Sequence, residues 1–367
     1  MSPIEIGILA LAMMIFLVLI GLYIPIAMMI CSFVGVWVIM DDAGLAAKML
    51  GLAANNAVSS YFFGVIPLFV LMGFLVGETG LGRDAFDVAN AMFRRIKGGL
   101  AVGTVAANAV FAAITGVSIA SAAIFTKIAV PELNRHGYNK RFAVGLVAGS
   151  SVLGMLIPPS LLLILYGLIT EQSIGDLFVA GIGPGLLLAV LFGLGTISMA
   201  FLVPGFVGQN LGTTTEQLSR RELLSKGVPI TALIALVLGG IYTGWITPVE
   251  AGGVGVLGAL AIGLLKRRLP LEALWRVLVE TGLVTATVCF LIVAAQMYSR
   301  MLAFSGLPAF LGELVTTSDL SLLPLMLLYC LVVLLLGMVL DSSSIMLILV
   351  PLMLPVLVSM GTDLVWF

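Results

Sequence analysis

The chain is 367 residues long, 61% hydrophobic and only 10% charged, with a formal net charge of −1 and a mean hydropathy of +1.23. That composition excludes a water-soluble domain, because apolar runs repeatedly exceed the length of buried core helices. It excludes a β-barrel too, because the runs are continuous and do not alternate, which leaves an all-α polytopic membrane protein.

In chain order, apolar runs predict spans over residues 6–22, 25–40 and 65–77. The first lacks a basic n-region and a cleavage site, so it reads as a retained span and not a signal peptide. Two amphipathic stretches, 45–61 and 82–96, are expected to lie in the interface plane, with an ordinary loop helix as the alternative. A hairpin region follows over 98–134, with its apolar part at 99–133, and then an interrupted span over 142–169. Further spans are predicted at 177–203, 228–246, 249–265 and 284–297, and a second hairpin at 320–360. Cys31, Cys289 and Cys330 lie inside apolar runs without paired spacing and read as buried thiols.

Lys and Arg set the orientation. With the N-terminus outside, Arg83, Arg94, Arg95, Lys97, Arg135, Lys140, Arg141, Arg220, Arg221, Lys226, Lys266, Arg267, Arg268 and Arg276 all fall inside. Asp41, Asp42, Glu171, Asp176, Glu313, Asp319 and Asp363 fall outside, with only Lys48 and Arg300 against the rule. The first hairpin has basic residues at both ends, so it enters and leaves on the cytoplasmic side. A single helix over 99–133 would be about 52 Å long, against a hydrocarbon core of about 30 Å. Its turn is therefore expected near Thr115–Ser118. Acidic residues flank the second hairpin, whose ends are both outside.

The two hairpins share a pattern. Thr115-Gly116-Val117-Ser118-Ile119-Ala120-Ser121 precedes Pro131, and Leu340-Asp341-Ser342-Ser343-Ser344-Ile345 precedes Pro355, with Ser118 and Ser342 at the same spacing from their prolines. Thr79-Gly80-Leu81 lies before the first and Ser305-Gly306-Leu307 before the second. Two similar re-entrant hairpins opening to opposite sides point to an inverted-topology repeat, the architecture in which transporters build their sites.

Gly149-Ser150-Ser151-Val152-Leu153-Gly154-Met155-Leu156-Ile157-Pro158-Pro159-Ser160 interrupts the span at 142–169. It reads as two half-helices, the second starting at the prolines. Irregular backbone at membrane depth survives only inside protein or beside a wet cavity. With the hairpin tip placed beside this break, freed carbonyls and the hydroxyls of Ser118, Ser121, Ser150 and Ser151 are expected to form an oxygen cage for a hard cation such as Na⁺. Half-helix N-termini would face an anionic group. The alternative for each serine alone is helix packing.

Asp341 is the only acidic residue in the second hairpin, and a charge at mid-membrane costs about 2.5–3.5 kcal/mol. Cation coordination, protonation and a helix N-cap are all open to it. Lys127 reads as a snorkelling side chain, His136 as a solvated residue, and Thr247-Pro248-Val249-Glu250 as a capping box. His136 is the only histidine and no paired-aspartate or His-Glu-x-x-His motif occurs, so an enzyme is not expected. A channel lacks its charge ring or filter repeat.

Together these stretches, with Ile66-Pro67-Leu68-Phe69-Val70-Leu71-Met72-Gly73, Pro131-Glu132, Gly137-Tyr138 and Tyr166-Gly167, resemble the large membrane subunit of tripartite ATP-independent periplasmic (TRAP) transporters over essentially the whole chain. The resemblance implies an elevator-type fold in the bacterial inner membrane. In it, 1–80 and 177–282 are scaffold with interfacial arms, and 81–176 and 283–367 are transport elements. It implies Na⁺-driven import of a small carboxylate, with a small four-helix membrane subunit and a periplasmic solute-binding protein as partners. Lipid surrounds it, and no nucleic-acid partner is expected. Gly116, Ser118, Ser121 and Ser150 are then expected at one ion site and Asp341 and Ser342 at another. Ser118, Ser150, Ser151, Pro158, Pro159 and Ser343 are expected at the substrate. The rival reading is a stand-alone Na⁺- or H⁺-coupled dicarboxylate carrier of the same elevator type. A second Pro-Pro break, counterpart of the first, would fall beyond Phe367, so the natural protein is expected to hold at least one more span.

Overall fold

A computed structural model describes every residue except 204, 208–217, 319, 320 and 339. Asp319 and Leu320, the expected start of the second hairpin, lie outside the described residues. Among those described, the first half of the chain forms α1 (Pro3–Leu19), α2 (Ile24–Met40), α3 (Ala43–Ser59), α4 (Val65–Glu78) and α5 (Leu81–Phe93). The first hairpin is α6 (Gly99–Thr115) and α7 (Ser118–Arg135), and the interrupted span is α8 (Lys140–Ser151), α9 (Leu153–Leu156) and α10 (Leu161–Thr170). Then come α11 (Ile174–Leu202), α12 (Arg220–Tyr242), α13 (Pro248–Leu265), α14 (Leu271–Ser305) and α15 (Leu307–Thr317). The second hairpin is α16 (Leu322–Gly337) and α17 (Ser342–Ser359). By length and composition, six helical stretches of the described residues can cross a membrane, or seven if the bent pair α4–α5 counts as one.

Capping residues explain several boundaries. Thr247 and Glu250 form the expected capping box, Thr247 N–H donating to Glu250 Oε2 at 2.7 Å and Glu250 N–H to Thr247 Oγ1 at 3.3 Å. The span expected at 284–297 lies inside α14, which runs on for 35 residues. No proline interrupts α14, whereas α3 and α4 are separated by extended Ser60 and a short 3-10 turn over Tyr61–Gly64.

The sequence reading missed α15, although its corner was marked. Thr79-Gly80-Leu81 and Ser305-Gly306-Leu307 are the same joint. Gly80 and Gly306 both sit in the left-handed region, at φ +73° and +68°. Thr79 Oγ1 donates to Val76 O at 2.9 Å and Ser305 Oγ to Leu302 O at 2.7 Å. Leu81 and Leu307 are both buried. At the first joint α5 turns 65° away from α4.

The chain forms two compact units, one of Met1–Phe63, Leu165–Ser173 and Thr285–Phe367, the other of Gly64–Ile164 and Ile174–Val284. Inside the second, α4 packs on α13 and α5 on α12 and α6. Gly255 of α13 accommodates Met72 of α4 in close contact. Inside the first, α1 packs on α2 and α15. Gly35 of α2 accommodates Met301 of α14. Each unit thus sets the opening helices of one half of the chain against the arm of the other half.

Charge fixes α5 in its unit. Asp84, 2% exposed, accepts from Lys266 Nζ at 2.6 Å and Arg268 Nη1 at 2.8 Å. Asp87 pairs with Lys226 at 2.5 Å and Glu78 with Arg276 at 3.3 Å. The amphipathic stretch 82–96 overlaps helix α5, but its pattern did not show that Asp84 and Asp87 are tied to Lys266 and Arg268 at the end of α13 and to Lys226 of α12, nor that Glu78 of α4 pairs with Arg276 of α14.

Candidate ion and substrate site

The tip of the first hairpin is two residues. Gly116 closes α6 at φ +61°, and Val117 is extended at φ −127°, ψ 110°, with no side chain capping α7. The last carbonyls of α6 and the first amides of α7 are therefore left to other partners. These are the negative end of one helix dipole and the positive end of another.

The interrupted span supplies the partner. α9 ends at Leu156, Ile157 is extended (φ −74°, ψ 123°), and Pro158 and Pro159 lie in the connector. The second half-helix starts at Leu161 and not at the prolines, because Ser160 does the capping. Its Oγ donates to Met155 O at 2.5 Å and accepts from Leu163 N–H at 3.4 Å. Leu161 N–H donates at 3.1 Å to the carbonyl of Gly116. The tip is thus hydrogen-bonded by backbone to the break.

Small residues make that approach possible. A side chain on Gly116 would run into the carbonyl of Pro159. A Cβ on Gly154 would stand 3.1 Å from Ser118 N, and one on Gly73 3.1 Å from Thr115 O. Three stretches of main chain meet here with no side chain between them.

The expected hydroxyls fall into two groups. Ser118 is half-buried at the start of α7. Ser121 and Ser150 are fully buried and Ser151 nearly so. Ser151 Oγ donates to Val147 O at 2.6 Å. Ser121 Oγ donates to Asn108 Oδ1 at 2.7 Å, Asn108 Nδ2 donates to Ser150 Oγ at 2.5 Å, and Ser150 Oγ donates to Leu146 O at 2.7 Å. Asn108, buried in the middle of α6, joins both hairpin arms to α8 and was missed. The available signal was an amide in an otherwise apolar hairpin arm.

Asp341, Ser342 and Ser343 stand in the other compact unit as a separate set. Asp341 is the N-cap of α17: its Oδ2 accepts from Ser344 N–H at 3.2 Å, and Ser344 Oγ hydrogen-bonds to its Oδ1. Ser342 and Ser343 are half-buried in the first turn. No three His, Cys, Asp or Glu come together among the described residues. A cation held at either tip would rest on carbonyl and hydroxyl oxygens, with one carboxylate at the second, a donor set for hard ions.

Residues 11–367 match the family described as "Tripartite ATP-independent periplasmic transporter, DctM component". The chain is 33% identical over 322 residues to the C4-dicarboxylate TRAP transporter large permease protein DctM of Pseudomonas aeruginosa, covering 87% of this chain and 74% of that protein. It is 31% identical over 332 residues to the sialic acid TRAP transporter large permease protein SiaM of Vibrio cholerae, covering 88% and 74%. It is 28% identical over 360 residues to the ectoine TRAP transporter large permease protein TeaC of Halomonas elongata, covering 96% and 82%. In fold it is similar to the crystal structure of the Alcanivorax borkumensis YdaH transporter, with a TM-score of 0.58 at 14% identity over 87% of this chain and 75% of that one. The chain belongs to the DctM component family of tripartite ATP-independent periplasmic transporters.

Proposed function

We propose that this chain imports a small organic acid across the bacterial inner membrane, driven by Na⁺ and by an elevator movement. Membership of the family makes it a multi-pass permease of a TRAP importer, working with a small membrane subunit and a periplasmic binding protein. The finer reading rests on one observation, the backbone hydrogen bond that docks Gly116 on the break at Leu161, beside buried serines. The C-terminal carbonyls of α6 and the serine hydroxyls suit a hard cation. The uncapped N-terminus of α7 suits a carboxylate. Ser118, Ser150, Ser151, Pro158 and Pro159 would line the substrate side of this site, and Ser343 would serve the substrate within its own unit. Gly116, Ser118, Ser121 and Ser150 would hold one Na⁺, and Asp341 and Ser342 another. In this reading 1–80 and 177–282 are scaffold, 81–176 and 283–367 carry the cargo, and the N-terminus is periplasmic.

Relatives are named for C4-dicarboxylates, sialic acid and ectoine, so these three serve as probes. The test is uptake into proteoliposomes holding the chain with its membrane partner, with and without its binding protein, in NaCl or choline chloride. Uptake of one probe only with Na⁺ and binding protein is the expected result. Uptake that ignores Na⁺ overturns the coupling, and uptake without any binding protein favours the stand-alone carrier.

A further inference from the structure

The Asn108 network has a direction, and chemistry dictates it. A carbonyl can only accept, so Ser150 spends its single proton on Leu146 O. The contact between Asn108 and Ser150 must then be donated by the amide NH₂. That fixes which end of the amide faces which serine, and it puts the amide oxygen against Ser121, which has to donate. Ser121 is left with both oxygen lone pairs and Ser150 with one. All three side chains are fully buried, so no bulk water competes for these protons.

We propose that Asn108 is a positioning residue for Na⁺: its amide oxygen takes the hydroxyl proton of Ser121, and its NH₂ orients Ser150, whose own proton is held by Leu146 O, so that both serines present lone pairs. The inference rests on the Na⁺ reading above and adds a residue and a cause to it. Without the amide, the Ser121 proton rotates freely, and a bound cation must first turn it aside. Ser150 loses the donor that fixes which of its lone pairs stays open, though its bond to Leu146 O remains. The oxygens remain in place, yet they stop being pre-set for a positive charge.

The test uses the full chain purified in detergent, with NaCl as the probe and choline chloride at equal ionic strength as the control. Binding of Na⁺ to the folded state raises the unfolding temperature, and the concentration dependence gives a midpoint. Asn108→Ala is expected to raise that midpoint about tenfold, the effect of losing one hydrogen-bonded orientation. Ser121→Ala is expected to raise it similarly. The double variant should shift it by clearly less than the product of the two, because Asn108 acts through Ser121. Asn108→Ser gives the same reading if the alanine variant does not fold. An unchanged Na⁺ midpoint with a lowered unfolding temperature would make Asn108 a packing residue and overturn the proposal, as would independent, multiplying shifts. If the unsubstituted protein responds equally to NaCl and choline chloride, the Na⁺ reading itself falls and takes this one with it.

Discussion

Asp341 shows how one side chain serves two explanations that a substitution can separate. It caps α17 through Ser344, and Asn caps a helix as well as Asp does, whereas Ala does not. Asp341→Ala should lower stability by about 1 kcal/mol, read as a fall in unfolding temperature, while Asp341→Asn should leave it nearly unchanged. If the carboxylate also holds a cation, Na⁺-dependent uptake is lost in both variants; full uptake by Asp341→Asn would leave capping as its whole role. At this scale the sequence was legible wherever a residue broke an apolar run. Gly116, Ser118 and the proline pair stood out because each sits in a short cluster of glycine, hydroxyl or proline residues inside an otherwise apolar run. Asn108 did not, because one amide inside a helix has the same local pattern whether it packs or bridges. Its partners lie in α7 and α8, and only the tertiary fold brings them within reach.

The joint between α4 and α5 is held by charge as well as by apolar contact. Asp84 is nearly fully buried and takes two cations from the end of α13 and the loop after it, while Arg268 also donates to Thr79 O at 3.3 Å, at the C-terminus of α4. Asp84→Asn leaves Lys266 and Arg268 facing a neutral amide and each other. Hydrogen bonds to charged groups contribute about 1.5–3 kcal/mol, and Arg268 is 40% exposed and can turn to water. A loss at the lower end of that range is expected, measured as a drop in unfolding temperature, with partial recovery when Lys266→Met is added. A further fall in the double variant would show that the cations stabilise α5 without the carboxylate. Helix starts were readable from Thr247-Pro248 and from Asp341, since caps are local chemistry. The missed helix, α15, is preceded by Ser305-Gly306 and follows a helix without proline, so hydrophobicity alone gave no boundary. The Thr79-Gly80-Leu81 joint, with the same backbone at Gly80, explains it in retrospect.

Each compact unit joins the opening helices of one half of the chain to the arm of the other, through α4 on α13 in one and α2 against α14 in the other. A repeat written this way cannot complete its packing from one half alone. Hydropathy counts helices but carries no record of which half lies against which, so this exchange was invisible in the sequence; the repeat itself was visible because the same punctuation occurs twice. What sequence offers at this scale is an expectation of sidedness, which labelling can test. Arg94, Arg95 and Lys97 precede the first hairpin and Arg135, Lys140 and Arg141 follow it, while Glu313 and Asp363 flank the second with no Lys or Arg after Arg300. The positive-inside rule then puts the ends of the two hairpins on opposite sides of the membrane. With Cys31, Cys289 and Cys330 replaced, single cysteines at Ile96 and Ser318, both exposed, report those ends. A membrane-impermeant maleimide should label Ser318→Cys in right-side-out vesicles and Ile96→Cys only in inverted ones. Labelling of both from the same side would mean that the hairpins are not inverted copies, and an alternating-access scheme built on the two tips would fail with it.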